Sequence, residues 1–581
     1  MSQIRARAPY LIELVGNGTF VALYTLAKLK KFPAIIAQLP ADYLSTWAVW
    51  LAPALVLVTT IAHYRRSAGI EDFIRKYVFS FIIFIPMLLT FGDPEFTYWL
   101  TVVHLFSTVI SLNESNASDE SPSANTASNL RGMGWLYTKK LSPAQLVIVS
   151  FGMIIVVGTL LLVLPISAKT GKTIALVDAF FMATSATCVT GLATNSLADD
   201  FSLFGQLVIL TLIQIGGLGI MTLSSSIALV MGRSLGVREQ VLMQDVLDSS
   251  SSEELLGLII DIVKFTFIIE FIGAIVLTIG FYDSNYEIGQ SLYFGFYHSI
   301  SAFCNAGFAL FNNSIEGFKF KPLIHLTITF LVIAGGLGFM VIQEIKNAVL
   351  SKKKFVDFSL HSKIVIVTNF LLVAFGTTYL FFGEYLHAFV DFSVWEKLQL
   401  SFFHSVITRT AGFNSIPITE LHPHSIYMMI LLMFVGASPG STGGGIKTTT
   451  FAILIQSVKA TLTNNNRVEM FERTLPNVLV VRSIAIVIIS LLTVSVALLV
   501  MMRLETGKDF LSLMFETVSA FATAGLSLGI TAQLTSIGKV MISLVMFIGR
   551  VGPLTLVLAV GQNAEVAANR VRYPESKILI G

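Results

Sequence analysis

Four short segments of this sequence are variants of one phrase: ATSATCVTGLA (183–193), SISAFCNAGFA (299–309), SVITRTAGFNS (405–415) and TVSAFATAGLS (517–527). Aligned on Gly191, Gly307, Gly412 and Gly525, each has Thr or Ala before the glycine and Leu or Phe after it. The glycines recur at intervals of 116, 105 and 113 residues. A repeat of this period in a chain of 581 residues, 54% hydrophobic and 13% charged, leaves few architectures open. Soluble domains carry about 25% charged residues, so most of this length belongs in lipid. Only helices and closed barrels satisfy their own backbone groups there. Stretches of the roughly 20 apolar residues that a spanning helix needs recur along the chain, which selects helices. The implied fold is an all-α membrane protein in which four copies of one unit surround a common axis. An axis lined by four such loops is most simply a pore.

Each repeat reads as a long apolar helix, a shorter apolar segment ending at the glycine, and a second long apolar helix. They fall at 144–165, 176–191 and 203–231; at 259–280, 292–307 and 322–345; at 363–383, 398–412 and 426–455; and at 481–502, 511–525 and 536–560. The middle segment offers only about 10 helical residues before its glycine, and at 1.5 Å per residue these cannot cross roughly 30 Å of hydrocarbon. It therefore enters and leaves on one side as a half-helix and re-entrant pore loop, tolerated only where protein or water surrounds it. The pore repeats divide the chain into 141–235, 236–350, 351–465 and 466–581, the last including the C-terminal tail. Residues 1–112 lie outside the repeat and read as extra N-terminal transmembrane helices, with one clear span at 43–63. Residues 113–140 read as a polar cytoplasmic linker rich in Ser and Asn. The N-terminus has no long apolar core followed by a small-residue cleavage site, so no removable signal is expected. Lys346, Lys352, Lys353, Lys354 and Lys363, then Lys459, Arg467, Arg473 and Arg482, gather between repeats. The positive-inside rule places them in the cytoplasm and opens the glycine loops to the outside.

A dehydrated alkali cation needs a ring of oxygen ligands in place of its water, and backbone carbonyls supply these without formal charge, so the ion is held but can leave. Four stretches supply such a ring if they run extended with their carbonyls inward. They are Thr187, Cys188, Val189, Thr190 and Gly191; Phe303, Cys304, Asn305, Ala306 and Gly307; Thr408, Arg409, Thr410, Ala411 and Gly412; and Phe521, Ala522, Thr523, Ala524 and Gly525. Glycine admits the backbone angles this requires and keeps a Cβ off the axis. Each half-helix points its C-terminal, partially negative end at the axis, which suits a cation; an anion pore would present helix N-termini or basic rings. Cys188, Cys304, Arg409 and Ala522 occupy one position in the four copies, so their side chains cannot all face one ion. Cys188 and Cys304 read as small packing residues without the further ligands of a metal site. Arg409 must point behind its loop, with Glu516 as a candidate partner. His298 and His404 read as structural histidines on the half-helices.

These loops, with GASPGSTGGGIKTTTF (436–451) and FIGRVGPLT (547–555), resemble the Trk/Ktr/HKT superfamily of cation transporters. The similarity runs over about residues 140–581 and is greatest to the bacterial Ktr/Trk potassium-uptake membrane subunits. It implies a multi-pass protein of the cell membrane, not an enzyme, with a pseudo-fourfold pore for potassium uptake. It further implies a homodimer and a cytosolic regulatory subunit that binds nucleotide. Membrane lipid is the expected surrounding, nucleic acid is not an expected partner, and no covalent cofactor is implied. The transported ion is K+, with Na+ permeation or sodium-coupled transport by the same fold as the alternative. In plant relatives a serine at the first filter glycine accompanies sodium preference, so Gly191 favours potassium. A secondary transporter of a small organic solute would need charged ligands at the midplane, which the four loops lack.

The string GSTGGGIKT (440–448) is out of register for a phosphate loop, because Ile446 separates Gly445 from Lys447. Its glycines instead break a helix at membrane depth, which survives only beside a water-filled cavity. By resemblance, Gly436, Ser438, Gly440, Ser441, Thr442, Gly443, Gly444, Gly445 and Lys447 belong to an intramembrane gating loop below the filter. Arg550, in the middle of the last inner helix, faces the bundle interior as intramembrane charges do. By the same resemblance it forms a positive barrier or holds the gate closed.

Overall fold

The computed structural model describes residues 143–219, 252–352, 354–465 and 467–552. The expected N-terminal helices of 1–112 and the linker of 113–140 lie outside the described residues. Two compact units divide the chain. One comprises Met1–Leu141, Leu164–Thr173 and Val230–Arg233, and of it only Leu164–Thr173 is described, with a 3-10 turn at Pro165–Ser167. The other comprises Ser142–Val163, Ile174–Leu229 and Ser234–Gly581, and everything below concerns it.

Among the described residues this unit is helical apart from one small hairpin (β1, Glu469–Met470; β2, Arg473–Thr474). A long helix, a short helix and a second helix follow one another four times along the chain. The first set is α1 (Pro143–Val163), α2 (Leu176–Thr187) and α3 (Leu203–Leu218). The second is α4 (Ser252–Tyr282), α5 (Ile288–Phe303) and α6 (Pro322–Leu337), continued by α7 (Phe339–Ser351). The third is α8 (Leu360–Glu384), α9 (Val394–Ile407) and α10 (Pro423–Phe434), continued after a loop by α11 (Thr448–Leu462). The fourth is α12 (Asn477–Leu504), α13 (Phe510–Ala522) and α14 (Ser536–Val551).

Among the described residues, three helices, Ile260–Tyr282, Leu360–Glu384 and Asn477–Leu504, are long and apolar enough to cross a membrane. Their outer faces carry exposed large apolar side chains, among them Phe271 on α4, Phe370 on α8 and Leu499 on α12. Thr, Ser, His and Glu side chains are buried within, including Thr184, His298, Ser405 and Glu516. Apolar surface outside and polar groups inside is the distribution that lipid imposes. The short helices hold 12 to 16 residues, and even the longest, at 1.5 Å per residue, falls short of the hydrocarbon thickness of roughly 30 Å. Side chains start them locally: Ser393 and Glu396 form a capping box on α9, and the Asp509 carboxylate accepts from the Leu511 and Ser512 amides at the head of α13.

The second helix of each set packs on the short helix of the next: α3 on α5, α6 on α9, α10 on α13, and α14 back on α2. Lys539 on α14 reaches Asp178 on α2 at 2.7 Å, joining the last set to the first.

Three of the second helices are shorter than the sequence pattern suggests. A helix expected over 322–345 breaks at Gly338 (φ 92°), and its two parts, α6 and α7, are bent by 105°. One expected over 536–560 ends as α14 before Gly552 (φ 91°), and α3 ends in the same way before Gly219 (φ 76°). A glycine in the left-handed region stops a helix without a Cβ penalty. Arg550 therefore sits in the last turn of α14, two residues before the break, and not in the middle of a continuous helix.

Candidate ion-conduction site

The four glycine segments meet. A Cβ on Gly191 would lie 2.4 Å from the Ala306 carbonyl oxygen, one on Gly307 2.7 Å from that of Ala411, one on Gly412 3.0 Å from that of Ala524, and one on Gly525 2.1 Å from that of Thr190. Each glycine therefore faces the carbonyl of the residue just before the next glycine, and the series closes on itself. All four glycines also have positive φ, between 69° and 97°. Two independent constraints thus demand glycine at each place: the backbone angle and the neighbouring carbonyl.

The segments do not run extended, contrary to the expectation from the sequence. Val189, Asn305, Thr410 and Thr523, each two residues before its glycine, are left-handed, with φ of 55°, 60°, 69° and 50°. The residue between, Thr190, Ala306, Ala411 or Ala524, is not. Alternating handedness turns successive peptide groups to one side of the chain, where a β-strand would alternate them. Three of the segments share one more bond: the amides of Thr190, Ala306 and Ala524 donate to the carbonyls of Ser185, Ser301 and Ser519 at 2.7–2.8 Å. In the third copy, Ala411 donates to Ile407 instead.

All twenty residues of these segments are buried except Gly191, which is half-buried. On one side the four glycines line a cavity of about 370 Å³ whose wall includes Asn195, Asn312, Asn414 and Glu316. Glu316 accepts from Asn414 Nδ2 at 2.8 Å. Burial, then repulsion from Glu420, raises its carboxyl above the ordinary glutamate value, against the pull of Lys319.

On the other side lies the loop between α10 and α11. A parallel bridge between Val435 and Ile446 closes its base. Within it, Ala437 donates to the Gly444 carbonyl, Ser441 Oγ to that of Ser438, and Lys447 Nζ to that of Gly443 at 2.7 Å. Thr442 and Ser438 donate through their amides to Gly335 and Gly336 on α6, and Phe339 donates to Gly440. The tip presses against the glycine segments. A Cβ on Gly443 would lie 2.3 Å from Thr410 Oγ1, and one on Gly444 2.5 Å from Thr523 Oγ1. The Gly444 amide donates to that Thr523 hydroxyl at 3.1 Å, and the Thr442 hydroxyl to the Phe303 carbonyl at 3.2 Å. A Cβ on Gly436 or Gly445 would likewise meet the loop's own backbone.

Two arginines fasten this loop. Arg550 donates to the carbonyls of Thr442, in the loop, and Gly216, on α3. Arg409 does point behind its segment, but its partner is not Glu516. Its guanidinium donates to Asn369 Oδ1 on α8 and to the Gly436 carbonyl at 3.0 Å. Asn369 in turn donates to Ser438 Oγ at 3.0 Å. Glu516 instead accepts from Ser527 and Thr531, on the strand of chain leaving the fourth segment. The packing of α8 on α9 puts Asn369 behind the third copy, which the linear pattern did not reveal. Cys188 and Cys304 are free and buried, and His298 is held through both ring nitrogens, by the Phe294 carbonyl and the Leu310 amide.

Residues 132–568 match the TrkH family of cation transport proteins. The chain belongs to that family. The Ktr system potassium uptake protein B of Bacillus subtilis (strain 168) is 37% identical over 444 residues, covering 76% of this chain and 97% of that protein. The potassium/sodium uptake protein NtpJ of Enterococcus hirae is 35% identical over 449 residues, covering 76% and 98%. The crystal structure of the potassium transporter TrkH from Vibrio parahaemolyticus superposes with a TM-score of 0.60 at 18% identity, over 83% of this chain and 96% of that one. This TrkH-family chain is accordingly a multi-pass plasma-membrane transporter and not an enzyme.

A second shared phrase was within reach of sequence reasoning. GGLG (216–219), GGLG (335–338), GASP (436–439) and GRVG (549–552) each follow their segment glycine by 24 to 28 residues. In three of the four, the first glycine seats the last carbonyl of a short helix or its neighbour: a Cβ on Gly216, Gly335 or Gly549 would lie 1.8–2.0 Å from the carbonyl of Thr187, Phe303 or Phe521. In the third copy Gly436 faces Gly444 of the loop instead. The departure in sequence and the departure in structure coincide.

Proposed function

We propose that the chain conducts K+ into the cell through a pore on the axis of a pseudo-fourfold arrangement of four helix–re-entrant loop–helix repeats, with boundaries at 141–235, 236–350, 351–465 and 466–581. The filter comprises Thr187 to Gly191, Phe303 to Gly307, Thr408 to Gly412 and Phe521 to Gly525, and its ion ligands are carbonyls. The observation that carries this reading is the closed series in which each segment glycine seats the carbonyl of Thr190, Ala306, Ala411 or Ala524. It sets the four segments in one closed ring, and uncharged carbonyl oxygens turned inward from such a ring give the coordination a dehydrated alkali cation requires. The hydroxyls of Thr187, Thr190 and Thr410 are buried without a protein partner. Orphaned hydroxyls of this kind cost about 1–3 kcal/mol each, a cost that an ion pathway offsets through its water or its cation.

Access from the outside is through the cavity lined by the four glycines. The loop of Gly436 to Lys447, held by Arg550, is the gate and fills the inner side of the filter. Potassium as cargo is supported by the names of the Ktr relatives. Assembly as a homodimer with a cytosolic nucleotide-binding regulatory subunit is part of the same reading. A second reading, permeation by Na+ or coupling to it, is favoured by one specific relative, named for uptake of both potassium and sodium.

The test is uptake in a cell lacking its own potassium transporters, comparing wild type with Gly191→Ser under competing Na+. The filter assignment predicts a changed K+/Na+ preference, because a side chain at 191 meets the Ala306 carbonyl. An unchanged preference refutes it.

A further inference from the structure

We propose that Glu384, His387 and His422 form a binding site for a late first-row divalent cation, of which Zn2+ is the natural probe. One ligand atom from each lies within 4.8 Å of the others, the single such grouping among the described residues. Glu384 ends α8 and is fully buried, whereas His387 is half exposed. The Glu384 carboxylate faces His387 Nδ1 at 3.2 Å through one oxygen and accepts the His422 amide at 2.9 Å through the other. The imidazoles of His387 and His422 stack with centroids 3.8 Å apart and planes 27° from parallel. Among the described residues, no Lys or Arg pairs with this carboxylate.

A buried carboxylate is costly unless something positive compensates it, and here the groups beside it are two imidazoles with in-plane nitrogens. That donor set selects the metal. Mg2+ and Ca2+ take six or more oxygen ligands, of which this site offers one residue's worth. Two imidazoles and a carboxylate suit Zn2+, Ni2+ or Cu2+, with Zn2+ completing four-coordination by water. Coordination of one ion requires the two rings, which now lie face to face, to turn until their in-plane nitrogens converge.

The position gives the site a consequence. His387 lies in the connection from α8 to α9, and His422 caps α10 at the end of the chain that returns from Gly412. One ion therefore clamps both connections flanking the third short helix. The proposal is independent of the filter assignment, and its failure leaves that reading intact.

The experiment is calorimetric titration of tag-free, full-length protein in detergent with Zn2+, and with Mg2+ as control. The expected result is saturable binding of Zn2+ at one per chain, at least tenfold weaker in His387→Gln and in His422→Ala, with no saturable Mg2+ binding. Zn2+ also raises the unfolding temperature of wild type alone, since a ligand that binds only the folded state stabilises it. Both variants must melt at the wild-type temperature in chelator, and half-exposed His387 makes that the expectation for His387→Gln in particular. Absence of saturable Zn2+ binding to wild type overturns the proposal. So does wild-type affinity in both His387→Gln and His422→Ala.

Discussion

Replacing Gly525 by alanine separates the two reasons a glycine stands there. Gly525 has φ 79°, and a Cβ on it would lie 2.1 Å from the Thr190 carbonyl oxygen and 3.0 Å from Gly191 Cα. Four residues on, Gly529 has φ 83° with nothing within 4 Å of its Cβ position. Both substitutions carry the left-handed backbone cost, about 1–2 kcal/mol for an L-residue. Only Gly525→Ala adds a clash with backbone. Restoring an ordinary contact of roughly 3.5 Å makes that carbonyl retreat by about 1.4 Å. A carbonyl lost as an ion ligand, taken as a charge-assisted contact of about 1.5–3 kcal/mol, corresponds to a loss of about ten- to hundredfold in transport rate. The assay is K+ uptake in a transport-deficient cell, paired with thermal unfolding in detergent. Gly529→Ala lowers stability slightly and keeps uptake; Gly525→Ala lowers uptake at least tenfold at comparable expression. Equal uptake by the two variants refutes the argument that the neighbouring carbonyl, and not the torsion angle, makes this glycine indispensable.

Two further outcomes follow from the same geometry. Arg550→Ala removes two charge-assisted bonds, to Thr442 and Gly216, each of the kind worth about 1.5–3 kcal/mol. It should raise K+ uptake under conditions where the wild-type gate is shut, and unchanged flux and regulation would remove Arg550 from the gate. Glu316, in the outer cavity, takes up its proton at higher pH than an ordinary glutamate. As external pH falls through that raised value its negative charge is lost, so apparent K+ affinity should weaken with acidity in wild type and stay flat over the same range in Glu316→Gln.

Much of this was legible in the sequence, for identifiable reasons. The four segment glycines stood out because both the backbone angle and the neighbouring carbonyl exclude every other residue, and such double constraints leave a fixed letter. The loop at 436–448 stood out because five glycines in an apolar run cannot continue a helix. What the sequence concealed was long-range pairing. Asn369, 40 positions before Arg409, carries no signal of its own role, and charge complementarity pointed wrongly to Glu516. The handedness of Val189, Asn305, Thr410 and Thr523 was also hidden, since Val and Thr rarely adopt positive φ and only the packed segments hold them there. The breaks at Gly219, Gly338 and Gly552 were visible as glycines, yet the apolar letters beyond them still read as uninterrupted spans. The metal-type grouping was hidden similarly, because His387 and His422 meet only when the returning third segment packs against the end of α8.

The central claim is that four carbonyls, those of Thr190, Ala306, Ala411 and Ala524, hold the transported ion. Anomalous diffraction from crystals of the full chain grown in Rb+ or Tl+ tests it most directly. The account predicts a peak on the axis equidistant from these four oxygens, which disappears when Na+ alone is present. A peak elsewhere along the axis, or none at this level, contradicts it.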